Sequence, residues 1–341
     1  MADSTLQYLV RVPEPSSTSA RSVRRGRLLR SGAAFAVLLA LAGYLAVQYL
    51  TGSTGEPKCT VVSGKGDGAS YEFTAEQAVN AATITAVGTN LGVPERAVTI
   101  ALATALQESA LRNISHGDRD SLGLFQQRPS QGWGTEKEIL DPAYAAGEFY
   151  EHLEKVPDYT KLPLTVAAQR VQRSGFPEAY AKHEPDATLL AAALTGRAAA
   201  TFTCEGRMST APEGPDAVRA ALVRDFGRDA FQETGAEVAA APSASPSAPS
   251  AVPSTSSTGT NGPGGTRTVT VTVPKTPAAE GGERRRGWAL AHWAVANSSA
   301  LHVERVSYAG RAWTAGNTRS EWRDDSGAWN STGEVRIVTG Q

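Results

Sequence analysis

The apolar positions of this chain fall into four regimes. From Gly32 to Leu50 they are nearly continuous (GAAFAVLLALAGYLAVQYL), about 19 residues or roughly 28 Å of helix, which is close to one bilayer core. From Tyr71 to about Ala200 they recur at helical spacing. Between Ala239 and Gly265 they almost vanish into Ala, Pro, Ser, Thr and Gly, a composition that cannot bury a core and predicts a disordered linker. After Arg285 they return in a short segment with both helical and alternating periods.

Within the second regime the helix boundaries are readable. Thr74 and Gln77 form a capping box for a helix of about eighteen residues ending at Gly92. Pro94 suits the first turn of a second helix, which runs through AVTIALATAL, Ala97 to Leu106, without a charge. A helix apolar on every face must be enclosed. Asp141-Pro142 opens a third, whose Ala146, Phe149, Tyr150 and Leu153 share one face. Thr165 to Val171 and Asp186 to Leu194 read as further helices, so the class expected for this region is all-α. Residues 214 to 232 predict one more, amphipathic, helix. TVTVTVP, Thr268 to Pro274, has strand period, or is the stiff end of the linker. The last module predicts a helix, GWALAHWAVANS, a hairpin turning at Ala309-Gly310, and a final strand, EVRIV; five of the six tryptophans give it a core.

The resulting division is a cytoplasmic basic arm over 1–30, a transmembrane helix over 31–52, a helical domain over 57–206, a helical extension over 207–236, a Pro/Ser/Ala/Thr-rich linker over 237–283 and a small α/β module over 285–341. Mainly α is the expected fold class overall. The arm carries five arginines between Arg21 and Arg30, and the positive-inside rule then puts everything after Thr51 outside the cell. A cleaved signal peptide competes with this reading, but the apolar run exceeds an ordinary h-region and no small-x-small site follows it. The net charge of −1 gives nucleic acid no global handle. The two cysteines, Cys59 and Cys204, bracket the helical domain on the exported side, where a disulfide is expected and two isolated cysteines make a poor metal site.

Candidate chemistry sits in LQESALRNISHGDRDSLGLFQQRPSQGWG, Leu106 to Gly134. Glu108 ends the apolar helix on the side of Ala101, Thr104 and Ala105, so small or apolar neighbours surround it and desolvation raises its pKa. A carboxyl group kept protonated is what protonating a glycosidic oxygen requires. The region resembles the signature of soluble lytic transglycosylases and goose-type lysozymes, which read Glu-Ser at a helix end and then Gly-Leu-Met-Gln before a proline. The matching residues are Glu108-Ser109 and Gly123-Leu124-Phe125-Gln126, with Pro129 following. The step of fifteen residues from Glu108 to Gly123 fits that family. Asp141, Pro142, Gly147 and Tyr150 resemble its Asp-Pro, glycine and tyrosine helix, and the similarity covers about 80 of the 341 residues.

That resemblance implies a lysozyme-like domain in which Glu108 is the acid. Ser109 would orient it, and Ser121, Gly123, Leu124, Gln126 and Tyr150 would serve the glycan cleft. Asp118 and Asp120 are the local candidates for a second carboxylate, although Arg119 in the same turn favours a structural role for them. A single-acid mechanism is therefore expected. The sequence departs from the family in lacking a late Tyr-Asn-Ala-Gly stretch; AAQRVQRSGFPEAYAKHE stands there, with Gln169, Gln172 and Tyr180 as substitute contacts. The C-terminal module is faintly similar to a domain of actinobacterial cell-wall proteins related to zinc D,D-carboxypeptidases, through Gly287-Trp288-Ala289, Trp293-Ala294-Val295-Ala296-Asn297 and Gly310-Arg311-Ala312-Trp313. Glu334-Val335-Arg336 replaces its His-x-His, so no metal and no cofactor is expected. The function expected is a membrane-anchored enzyme cleaving peptidoglycan glycan strands. The alternative is an inactive lysozyme-like module that binds peptidoglycan or assists envelope assembly.

Overall fold

The computed structural model describes residues 57–173, 177–206, 214–228, 268–273, 282–316, 321–325, 327 and 329–340. The basic arm and the segment 31–52 expected to cross a membrane lie outside the described residues, as does most of the linker. Among the described residues no helix is long and apolar enough to cross a membrane.

The expected class needs correction: the chain is not a mainly α protein with an all-α central domain. Two antiparallel sheets are built into it. The first joins β1 (Lys58–Val62), β2 (Ser70–Thr74) and β3 (Phe202–Cys204) in the order β2-β1-β3. Each of these strands is too short to announce itself by alternation. They hold because Cys59, Val61, Phe73 and Phe202 point one face into the core, and because Cys59 faces Cys204 directly in the register. The expected disulfide joins that pair.

Helices fill the space between the two ends of this sheet. The helix α1 (Ala75–Asn90) starts at the predicted capping box, where the Thr74 hydroxyl accepts from the Gln77 amide and the Gln77 side chain accepts from the Thr74 amide at 2.7 Å. The helix α2 (Glu95–Ser109) has Pro94 as its N-cap, and every residue from Ala97 to Leu106 is buried, as its lack of a polar stripe requires. A short α3 (Glu136–Ile139) precedes α4 (Pro142–Glu154), where the Asp141 carboxylate accepts from the Ala143 and Tyr144 amides. Then come α5 (Leu164–Gln172), a 3-10 turn over Pro177–His183, and α6 (Glu184–Leu194). The predicted extension is α7 (Gly214–Phe226), which packs on α1 and buries Val218, Ala221 and Leu222.

The C-terminal module is a five-stranded sheet in the order β4-β8-β5-β6-β7, with β4 (Thr268–Thr272), β5 (Val303–Tyr308), β6 (Arg311–Thr314), β7 (Arg323–Asp324) and β8 (Glu334–Thr339). The TVTVT segment is therefore an edge strand paired with β8, not the end of a free tether. The hairpin turns at Ala309-Gly310, as its Gly signal predicts. One face of the sheet is covered by α8 (Gly282–Ala296), whose other face packs on α1, α6 and β3.

This docking ties the module to the helical domain. The exposed edge of β3 is capped by indoles: Trp322 Nε1 donates to the Phe202 carbonyl at 2.9 Å and Trp313 Nε1 to the Cys204 carbonyl at 3.1 Å. Trp293 Nε1 donates to Asp225 at 2.8 Å, and the Thr83 hydroxyl donates to the same carboxylate. Gly196 has φ +74° and a Cβ there would collide with the Arg285 carbonyl, so a glycine lets α8 approach the end of α6.

The disulfide closes a sequence separation of 145 residues, which the chain-entropy model values at about 4 to 5 kcal/mol. The double variant Cys59→Ala/Cys204→Ala should lose about that much in urea unfolding of the full chain. A loss under about 1 kcal/mol would show that the strand pairing holds the domain ends without it.

Candidate active site

The site is assembled where α2 stops. Ala110 and Leu111 both take positive φ, 52° and 59°, which turns the chain sharply away from the buried helix and leaves Glu108 near its open end. Glu108 is half-buried. Tyr180, fully buried in the 3-10 turn, donates its hydroxyl to Glu108 Oε1 at 2.6 Å. Burial raises the pKa of Glu108 above the ordinary carboxylate range, and hydrogen bonds from Tyr180 and Gln172 oppose that rise without cancelling it. Among the described residues, the groups that shift it are these two hydrogen-bond donors and its own burial.

The loop over 121–127 is fastened to this helix end. Ser109 is buried, and its hydroxyl lies 2.8 Å from the Leu124 carbonyl and 3.1 Å from that of Ala105. It therefore secures the loop to α2 rather than orienting Glu108. Leu122 and Gln127 exchange backbone hydrogen bonds of 2.9 and 3.0 Å, closing the loop. Gly123 has φ +74°, and a Cβ there would come 2.6 Å from the Ile139 carbonyl, so only glycine fits. Phe125 is buried and stacks on Phe149 with centroids 4.6 Å apart. Its carbonyl accepts from Gln172 Nε2 at 2.6 Å, so Gln172 links the loop to the end of α5.

The expected site residues thus separate into distinct groups. Glu108, Gly123 and the half-buried Gln126 lie in or beside the helix-end loop, and Gln126 turns its amide back onto the Gly123 carbonyl at 3.2 Å. Ser121 is buried at the base of the loop. Leu124 is fully buried, so its contribution to a cleft is confined to its backbone, whose carbonyl Ser109 already occupies. Tyr150 is displaced from the site. It is fully buried against Gly88 and its hydroxyl donates to the Ile84 carbonyl of α1 at 3.0 Å. It is a core residue.

Of the two proposed second carboxylates, Asp120 is engaged by other groups and Asp118 is exposed. Asp120 is held by Arg128 at 2.7 Å and by the Ser130 amide at 2.9 Å, and the hydrogen bonds from Ser130 and Arg128 drive its pKa far below the carboxylate range. Asp118 is exposed beside Arg119, 3.9 Å away. Tyr180 and Gln172, expected as substitute substrate contacts, are placed as direct partners of Glu108. Both residues are visible in the sequence, but Gln172 is the last residue of α5 and the 3-10 turn that carries Tyr180 has no apolar period to orient it. His183, three residues after Tyr180, has its Nε2 3.2 Å from Gln107 Oε1.

Among the described residues no cluster of three or more His, Cys, Asp or Glu side chains is arranged to hold a metal ion. A cavity of about 510 Å³ lies elsewhere, on the outer face of the first sheet, lined by Lys58, Thr60, Thr203, Glu205 and Trp322. A family model described as the VldE C-terminal domain matches residues 246–335. That span holds most of the C-terminal module, ending inside β8, and none of the helix-end site. No curated protein matches the chain.

Ser109→Ala should cost about 1 to 3 kcal/mol by leaving the buried Leu124 carbonyl without its donor. Gly123→Ala should cost a similar amount, about 1 to 3 kcal/mol, through its positive φ and the Ile139 carbonyl. Urea unfolding of both variants checks this, and unchanged midpoints would mean that the loop is not fastened to α2.

Proposed function

We propose that this chain cleaves the glycan strands of peptidoglycan outside the cytoplasm, at the β-1,4 link between N-acetylmuramic acid and N-acetylglucosamine, with Glu108 as its single acid. The observation that carries the reading is the environment of Glu108: a desolvated carboxyl group at a helix end, bonded by Tyr180, beside a loop with the glycine and glutamine spacing of lytic transglycosylases. The Cys59–Cys204 disulfide supports an oxidising compartment.

Glu108 in its protonated form donates to the bridging oxygen as the bond from that oxygen to the muramyl C1 breaks. The resulting carboxylate then takes the proton of the muramyl C6 hydroxyl as that oxygen bonds C1. The product is a 1,6-anhydro end, Glu108 is protonated again, and no water is consumed. Tyr180 and Gln172 supply hydrogen bonds to the carboxylate stage, which offset part of the desolvation it suffers. A hydrolytic route would need a second carboxylate to manage water, and Asp120 is committed to Arg128 and Ser130.

Incubation of the full chain with purified sacculi should release anhydro-muropeptides, and Glu108→Gln should lower the rate by about 10²- to 10⁴-fold. Because the acid must be protonated, the rate should fall as pH rises through the raised pKa of Glu108. The Tyr180 hydrogen bond lowers that pKa, so Tyr180→Phe should move the falling limb to higher pH. Binding to sacculi without released product would overturn the proposal in favour of a binding module; water-derived reducing ends would replace transglycosylation by hydrolysis.

A further inference from the structure

The joint between the C-terminal module and the helical domain contains a titratable group that the proposed chemistry does not use. His292, in the middle of α8, is fully buried. Its Nδ1 lies 2.8 Å from the Ala193 carbonyl at the end of α6, and since a carbonyl only accepts, Nδ1 carries the proton. In the neutral ring Nε2 is then the acceptor, and it has no partner among the described residues. Around it stand three aromatic rings, Trp288 at 5.4 Å, Trp322 at 5.8 Å and Phe202 at 6.1 Å between centroids. Two of these, Trp322 and Phe202, are themselves the two sides of the joint, linked by the indole bond to β3.

We propose that this joint is an acid-sensitive clasp: the C-terminal sheet stays docked on the helical domain while His292 is neutral and is released when Nε2 takes a proton. A cation at Nε2 would be enclosed by rings with no acceptor to receive its hydrogen, and releasing α8 is the direct way to hydrate it.

Among the described residues, no charged side chain of the packed elements offsets this. On α6 the acids Glu184 and Asp186 are in the first turn, at the far end from Ala193. On α1, Glu76 is at the start. On β5 and β8, Glu304, Arg305, Glu334 and Arg336 hold exposed or half-buried positions, as do Glu205 beyond β3 and Glu321 and Arg323 around Trp322. On α8 the charged run from Glu283 to Arg286 precedes Trp288. The buried Asp225 of α7 is engaged by Arg224, Thr83 and Trp293.

Burial lowers the pKa of His292 from 6.5 to about 4, with the Ala193 carbonyl opposing the shift. A histidine whose docked pKa is depressed stabilises docking fully above the released value. That stability is lost as pH falls from about 6.5 towards 4, on the order of a few hundredfold in the docking equilibrium across the window.

The test follows the indole N–H signals of Trp313 and Trp322 by NMR in the full chain, together with the imidazole signals of His292, from pH 7.5 to 4. The expected result is loss of exchange protection at both indoles below pH 6.5, with helical circular dichroism retained. His292→Asn, which keeps an amide donor for Ala193 and cannot be charged, should keep both indoles protected over the same range. Loss of protection in that variant as well would assign the effect to carboxylates such as Asp225 and overturn the proposal. Should the variant fail to fold, the wild-type data decide alone: His292 titrating near 6.5 with the indoles still protected would contradict the clasp.

Discussion

A helix with no polar stripe must be wrapped, and this constraint on α2 organises the helical domain. Its residues from Ala97 to Leu106 are all buried, and each large aliphatic side chain among them contributes about 1.5 to 3 kcal/mol by leaving water. The elements α1, α4, α5, α6 and the 3-10 turn close around it. A carboxylate placed at the end of such a helix inherits its surroundings. Glu108 is therefore desolvated by the same packing that holds the fold, and its chemical character is a by-product of core formation.

Two kinds of fastening then keep the helix end in register with its loop. Ser109 and Gln172 hold the backbone at Leu124 and Phe125, while Phe125 plugs the loop into the core against Phe149. In the first sheet, β1 joins the first and last parts of the fold by pairing with β2 and β3. The edge that β3 would otherwise expose is covered by tryptophan indoles from a module more than a hundred residues away. Those tryptophans are thus spent on the joint as well as on the core of their own sheet.

Much of this was legible in the sequence where local chemistry decides structure. The Thr74/Gln77 box, the Asp141-Pro142 start and the turn at Ala309-Gly310 depend on neighbouring residues, and the structure places them as their spacing implies. Small neighbours around Glu108 likewise foretell its desolvation. The first sheet was not legible, because strands of three to five residues carry little period and are held by partners distant in sequence. Tyr180 shows the same limit: its bond to Glu108 crosses 72 positions. Tyr150 teaches a different lesson. It shares an apolar face with Ala146, Phe149 and Leu153, and that periodicity, which points to the core, outweighs the motif that points to a cleft. The extent of the C-terminal module was underestimated because TVTVT looks like linker until its partner β8 is known.

The account depends on the packing around α2 making Glu108 an unusual carboxylic acid. The most direct measurement is a ¹³C NMR titration of the Glu108 side-chain carboxyl in the full chain, without substrate. The account predicts a titration above that of the exposed glutamates, with Asp120 titrating below the ordinary aspartate range in the same sample. A Glu108 that titrates together with the exposed glutamates would contradict it.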